Sequence, residues 1–273
     1  MAHRLAEALA GGTDDAALLA AAAGTFRAYA AELNGLASRV DGSFARAVGM
    51  ILAAEGRVIV SGMGKSGIIG RKIAATFAST GTTAHFLHPA EAFHGDLGML
   101  RTDDLAVLIS YSGETEEVVR LLPPLKRLGV PIVGLVGDPD STLAGASDVV
   151  LDVSVRREVC PNNLAPTTST MAALAMGDAL AVALIERRRF MPADFARFHP
   201  GGSLGRRLLT RVRDVMHTRN LPTVRPDEPM QSVIWAMTRG RLGLALVMED
   251  GALRGIITDG DLRRALIALC DLQ

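Results

Sequence analysis

Between residues 57 and 153 five short apolar runs recur: Arg57–Ser61, Ala84–Leu87, Leu105–Ser110, Ile132–Val136 and Val149–Val153. Several are apolar at every position rather than at alternate ones. Strands buried on both faces read that way, and they belong to parallel sheets. The stretches Gly67–Ser79, Thr115–Leu128 and Ser141–Ala146 between them read as helices. Parallel neighbours need crossovers of this kind. The expected fold is therefore α/β, a doubly wound parallel sheet of five strands. Pro123-Pro124 falls inside one helical pattern. Interior proline costs ~3 kcal/mol there, which predicts a kink or an early stop.

The flanks have a different texture. Residues 14 to 54 carry apolar side chains near helical spacing, with a break expected at Gly42. A long helix is expected from Thr168 to Arg189, followed by a loop-rich segment, Phe190 to Gly205. After about residue 212 a small module begins, with helices at Met230–Thr238 and Asp259–Leu269 and strands at Leu244–Met248 and Gly255–Ile257. The expected division is N-terminal helices over 1–46, the α/β domain over 47–190, a linker over 191–211, and a small α+β module over 212–273.

Composition excludes several classes of function. Lys and Arg total 29, and Asp and Glu also total 29. A balanced charge lacks the basic footprint of a nucleic-acid binder and argues against anionic membrane surfaces. Two cysteines, outside any Cys/His ligand pattern, suit a reducing compartment. Met1–Gly12 lacks the apolar core of a signal peptide, and Ala16–Gly24 is too short to span a bilayer. Cytoplasmic location is the expectation.

In an open parallel sheet, ligands sit beyond the carboxyl ends of the strands. The loop Ser61-Gly62-Met63-Gly64-Lys65-Ser66-Gly67 follows the first run. It is not a P-loop, because Ile59 stands where that spacing needs glycine. Lys65 reads either as an anion contact or as a solvated turn lysine. The loop Ser110-Tyr111-Ser112-Gly113-Glu114-Thr115-Glu116-Glu117 puts three hydroxyls around a glycine before a helix. This suits a phosphate dianion on backbone N–H groups, or a capping box. Thr167-Thr168-Ser169 opens the long helix in the same way, and Glu158, in an irregular stretch upstream, is a general-base candidate. His88, Glu91 and His94 follow the second run, and His199 precedes Pro200-Gly201-Gly202. Two histidines are a weak metal signal.

Together, Gly62-Met63-Gly64-Lys65-Ser66-Gly67, Ser110-x-Ser112-Gly113-Glu114-Thr115, Ala165-Pro166-Thr167-Thr168-Ser169-Thr170 and His199-Pro200-Gly201-Gly202-x-Leu204-Gly205 resemble the SIS (sugar isomerase) family. Within it they are similar to the D-arabinose 5-phosphate isomerases. His88-Pro89-x-Glu91-Ala92-x-His94-Gly95-Asp96 and Met176-Gly177-Asp178-Ala179-Leu180-Ala181 extend the match over roughly 40 to 270. The resemblance implies reversible conversion of D-ribulose 5-phosphate to D-arabinose 5-phosphate, feeding 3-deoxy-D-manno-octulosonate for lipopolysaccharide or capsule. It points to Lys65, Glu117, Glu158 and His199 as the catalytic set. The candidate substrate contacts are Ser66, Gly81, Thr82, His88, His94, Ser110, Ser112, Thr115, Thr167, Thr168 and Ser169. No cofactor is required, and His88 is a possible contact for an inhibitory zinc. A homotetramer is implied, with His199 reaching a neighbouring subunit's site.

Val212-Arg213-Asp214-Val215-Met216 and Gly255-Ile256-Ile257-Thr258-Asp259-Gly260-Asp261 resemble one CBS motif. Such motifs pair, and the second is absent here. Pairing between chains and a sequence shortened before its partner motif both stay open. Thr258 and Asp259 stand where CBS motifs often meet a nucleotide, and a spacer or oligomerisation role is the alternative. Two other functional readings compete with the pentose phosphate isomerase. One is a non-catalytic sugar-phosphate sensor, and the other is an isomerase of a different sugar phosphate.

Overall fold

The computed structural model describes residues 15–201, 207 and 210–269. The readings made above at Met1–Gly12 and at the Gly202–Gly205 end of the His199 motif, and one of the two cysteines, Cys270, lie outside the described residues. The chain divides into two compact units, Met1–Leu208 and Leu209–Gln273.

The first unit opens with α1 (Asp15–Arg39) and α2 (Gly42–Ala53), and the break comes just before Gly42 because Asp41 caps α2 by accepting from the Ser43 N–H at 2.8 Å. Then follow β1 (Val58–Gly62), α3 (Gly64–Ser79), β2 (Ala84–Leu87), α4 (Pro89–Ala92), β3 (Leu105–Ser110), α5 (Glu116–Val119), α6 (Leu122–Leu128), β4 (Ile132–Val136), α7 (Thr142–Ala146), β5 (Val149–Asp152), α8 (Thr168–Arg188) and α9 (Pro192–Phe198). The five strands form one parallel sheet in the order β2-β1-β3-β4-β5. That is the doubly wound fold expected from the apolar runs.

Successive side chains on a strand point to opposite faces, and the two cores follow this rule. Val58, Val60, Leu105, Val107, Ile109, Val133 and Leu135 face α1, α2, α3 and α8. Ile59, Ala106, Leu108, Ile132 and Val136 face α5, α6 and α7. Helix α8 is apolar and long enough to cross a membrane. Instead it buries Ala172, Ala173, Met176, Leu180, Ala181 and Leu184 in the first core.

One expectation holds and one is corrected. The pattern over Thr115–Leu128 breaks as Pro123-Pro124 predict: it forms two short helices, and the prolines open the second, α6. Proline fits a first turn, whose N–H groups have no intrahelical partner. The segment expected to be loop-rich after Phe190 contains α9, with Pro192 at its start.

The second unit holds α10 (Val212–Val215), β6 (Thr223–Val224), α11 (Met230–Gly240), β7 (Leu244–Glu249), β8 (Ala252–Thr258) and α12 (Asp259–Leu269). Its sheet order is β6-β7-β8 over a small core of Val224, Val233, Met237 and Ala245.

Candidate active site

The strand order reverses between β1 and β3, which makes the crevice beyond their carboxyl ends the expected ligand position. A cavity of about 330 Å³ opens there. Its floor is apolar, from Ile109, Leu135, Val153 and Ala173, and its polar wall includes Ser66, Tyr111, Glu158, Asn163, Ser169 and Thr170.

The Glu158 carboxylate sits at the start of α8. Its Oε2 accepts from the backbone N–H of Thr167 at 2.7 Å, of Thr168 at 2.6 Å and of Ser169 at 3.3 Å, and from the Thr167 hydroxyl at 2.8 Å. These N–H groups belong to the first turn of a helix, and that end of the helix dipole favours an anion. Burial pushes the carboxyl up. Hydrogen bonds from Ser169 and Thr167 outweigh it, so its pKa lies below the ordinary glutamate value. Asn163 Oδ1 accepts from the Glu158 N–H at 2.8 Å and the Thr168 hydroxyl accepts from the Val159 N–H at 2.9 Å, which fixes the loop on either side.

The loop after β3 has its own internal bracing. The buried Ser110 hydroxyl accepts from the Gly113 N–H at 3.1 Å and shares a 2.8 Å hydrogen bond with Thr115 Oγ1. The Ser112 hydroxyl accepts from the Glu114 N–H at 3.2 Å. Gly113 has φ +67°, and a Cβ there would lie 1.9 Å from the Ser141 hydroxyl. No side chain caps α5, so the N–H groups of Thr115, Glu116 and Glu117 meet no acceptor among the described residues. The capping-box reading is thereby corrected: the hydroxyls shape the loop and leave its donors available. A four-residue helix adds little dipole, so these N–H groups carry most of the loop's attraction for an anion.

The other candidates at this sheet edge do not line the cavity. Lys65 is exposed at the start of α3, without an ion pair among the described residues. Glu117 is half-buried on α5, His94 is exposed after α4, and His88 precedes α4. Tyr111, Asn163 and Thr170 line the cavity but were not singled out as site residues from the sequence. The usable signal was their place in the same loops as the chosen residues.

Two expectations on position, Gly81 and Thr82, need correction, and His199 lies away from its own chain's cavity as its expected role in a neighbouring copy requires. Gly81 and Thr82 precede β2, at the amino edge of the sheet, opposite the cavity. Thr82 is buried, and its hydroxyl and the Gly81 carbonyl bind the Arg188 guanidinium at the far end of α8. His199 lies at that same end. The Phe190 ring packs on Gly81, Phe190 stacks on Phe198, and Phe195 stacks on His199 at 3.9 Å. Helix α8 has 21 residues, a length of roughly 30 Å. Within one chain His199, Gly81 and Thr82 therefore do not join Lys65 and Glu158. Ser110 and Thr168 are also buried and engaged internally, so they support the site rather than face a ligand.

His88 Nδ1 is buried without a hydrogen-bond partner. One imidazole does not make a zinc site, and the described residues of a single chain bring together no group of three His, Cys, Asp or Glu side chains. The single chain does not fit the implied metal.

Comparison with known proteins gives the family. The SIS domain model matches residues 51–183 and the CBS domain model matches 212–268. A Haemophilus influenzae protein named probable arabinose 5-phosphate isomerase is 59% identical over 233 residues, 85% of this chain and 69% of that protein. The chain belongs to the arabinose 5-phosphate isomerase family of SIS-domain proteins. Other members of the family include the Escherichia coli O6:H1 arabinose 5-phosphate isomerase KpsF, 53% identical over 92% of this chain and 77% of its own. The Pseudomonas aeruginosa KdsD is 53% identical over 86% and 72%. The solved structure of E. coli CFT073 c3406 in complex with arabinose 5-phosphate superposes with a TM-score of 0.67 at 38% identity, covering 69% of this chain and all of that one.

In the CBS-matched unit, Thr258 and Asp261 form a reciprocal cap. Asp261 Oδ2 accepts from the Thr258 N–H and hydroxyl, and Thr258 Oγ1 accepts from the Asp261 N–H. Both polar groups of Thr258 are thus engaged in starting α12. Asp259 lines a depression with Thr238 and Arg241.

Proposed function

We propose that this chain interconverts D-ribulose 5-phosphate and D-arabinose 5-phosphate, moving a proton between C1 and C2 through an enediol. The observation that carries this reading is one sheet edge that offers both a loop with free backbone donors, Thr115–Glu117, and an ionised carboxylate, Glu158. A sugar phosphate needs both an anion cradle and charged groups that order its hydroxyls. The family's named relatives share more than half of their aligned residues with this chain.

The phosphate sits on Ser112, Thr115 and the N–H groups of Thr115–Glu117, with Ser66 facing it across the cavity. Lys65 stabilises charge on the enediol oxygen and Glu117 orients a sugar hydroxyl. The four donors on Glu158 hold it as an orienting anion, and His199 is the proton carrier. His199 then comes from a neighbouring copy, in keeping with a homotetramer. The reaction draws on side chains alone, with no redox or metal cofactor. The product supplies 3-deoxy-D-manno-octulosonate synthesis in the cytoplasm.

NMR of ribulose 5-phosphate with the purified protein tests the reaction, and the arabinose 5-phosphate anomeric signals are the expected result. Saturable binding without turnover would mean a sensor. Deuterium exchange at C2 tests the roles: it is lost in His199→Ala and only reduced in Glu158→Gln. Unimpaired exchange in both variants overturns the assignment.

A further inference from the structure

The stretch from Val153 to Thr167 that carries Glu158 has no regular secondary structure. Its backbone is tied down by borrowed groups. The Val153 N–H donates to the Val136 carbonyl, the Arg39 guanidinium donates to the Ser154 carbonyl, and the Arg156 N–H donates to Glu32. Each of these anchors belongs to the scaffold, to β4 or α1. One further anchor does not. The Tyr111 hydroxyl lies 3.2 Å from both the carbonyl and the N–H of Val155, donating to the first and accepting from the second. Tyr111 belongs to the loop assigned above to the phosphate, directly after Ser110.

The ring is exposed on one side and backed by Gly137 on the other. A Cβ at Gly137 would stand 2.5 Å from a Tyr111 ring carbon, so the ring occupies the space that any other residue there would need. The Gly137 N–H also donates to the Tyr111 carbonyl at 2.8 Å. A tyrosine has two side-chain torsions, so backing by Gly137 and the two hydrogen bonds to Val155 link its hydroxyl to the loop. Val155 precedes Glu158 by three residues, and Tyr111 and Glu158 line the same cavity.

We propose that Tyr111 is a positioning residue that couples occupancy of the phosphate loop to the placement of Glu158. The inference rests on the reading of the Ser110–Thr115 loop as the phosphate cradle. A ligand phosphate that draws in the loop moves the Tyr111 hydroxyl, and the hydroxyl carries the Val155–Glu158 backbone with it. Small displacements of an orienting group lower turnover more than binding.

The test uses the full chain and Tyr111→Phe, which removes the hydroxyl and keeps the ring. With ribulose 5-phosphate, kcat is expected to fall about tenfold while KM stays within about twofold. Gly137→Ala displaces the ring and reproduces the split, so the test stands even where one variant folds poorly. Hydrogen–deuterium exchange of the amides in 153–163 gives a second readout. Saturating inorganic phosphate slows this exchange in the wild type and leaves it unchanged in Tyr111→Phe. A wild-type kcat in Tyr111→Phe, a rise confined to KM, or the same response of 153–163 to phosphate in both proteins overturns the proposal. A wild type without isomerase activity sinks the functional reading instead, and the exchange experiment still decides the coupling.

Discussion

Glu158 is a carboxylate whose role is set by what donates to it. Sequence alone marks it as an acid in an irregular stretch near a ligand end. It does not reveal that the carboxylate turns back onto the first turn of α8, because that depends on the path of the chain between Glu158 and Thr167. Since its folded pKa is depressed, its stabilising contribution is fully present above the ordinary glutamate range and is lost as pH falls through the depressed value. Glu158→Gln is expected to lower stability at pH 7 by about 1–2 kcal/mol, as loss of a strong helix cap does. In urea titrations at successive pH values the gap from wild type closes in acid, and a gap constant to pH 3 would contradict the capping role. Asp104 is a second such residue. Its buried carboxylate accepts from the Arg57 side chain at 2.7 and 3.1 Å and from the Arg57 and Arg101 N–H groups. Burial pushes its pKa up, and the Arg57 and Arg101 donors bring it below the ordinary aspartate value. Asp104→Asn leaves the guanidinium without its anion and is expected to cost about 3 kcal/mol by denaturant unfolding.

The elements were the most readable scale. All five strands agree with the apolar runs to within a residue at each end, and Ala84–Leu87, Leu105–Ser110 and Ile132–Val136 agree at both ends. Burial on both faces leaves a strong signal because every position must be apolar. Short polar helices leave little, which is why α4, α9 and α10 were not expected. In the Thr115–Leu128 pattern the prolines announce a break, and its exact place, at the start of α6, follows from their fit to a first turn. The loop after β3 depends on one backbone conformation, at Gly113. Gly113→Ala introduces a Cβ in the left-handed region and against Ser141. It is expected to destabilise by about 1–3 kcal/mol. In steady-state kinetics it should also raise KM for the sugar phosphate, and an unchanged KM would argue against the phosphate cradle.

At the level of the whole molecule, the candidate residues fall into two groups at opposite ends of α8. For His199 the sequence already suggests this, since it follows the long helix; for Gly81 and Thr82 it does not, because they join that end through Arg188 and Phe190. The proposed function joins the groups across copies, and that is open to a mixing experiment. Glu158→Gln and His199→Ala are each expected to be impaired alone. Exchanging their subunits creates some sites with both native residues, so activity in the mixture should rise above that of either parent. Strict additivity of the two residual activities would tell against a shared site.

The length of α8 has a kinetic corollary. A helix of 21 residues cannot fold back to bring its two ends together, so the proposed site is completed by encounter between molecules. Specific activity should then depend on enzyme concentration. Progress curves begun by diluting a concentrated stock to nanomolar levels should show a rate that decays with time as assemblies come apart. Substrate present before dilution should slow that decay, because it bridges the two halves of the site.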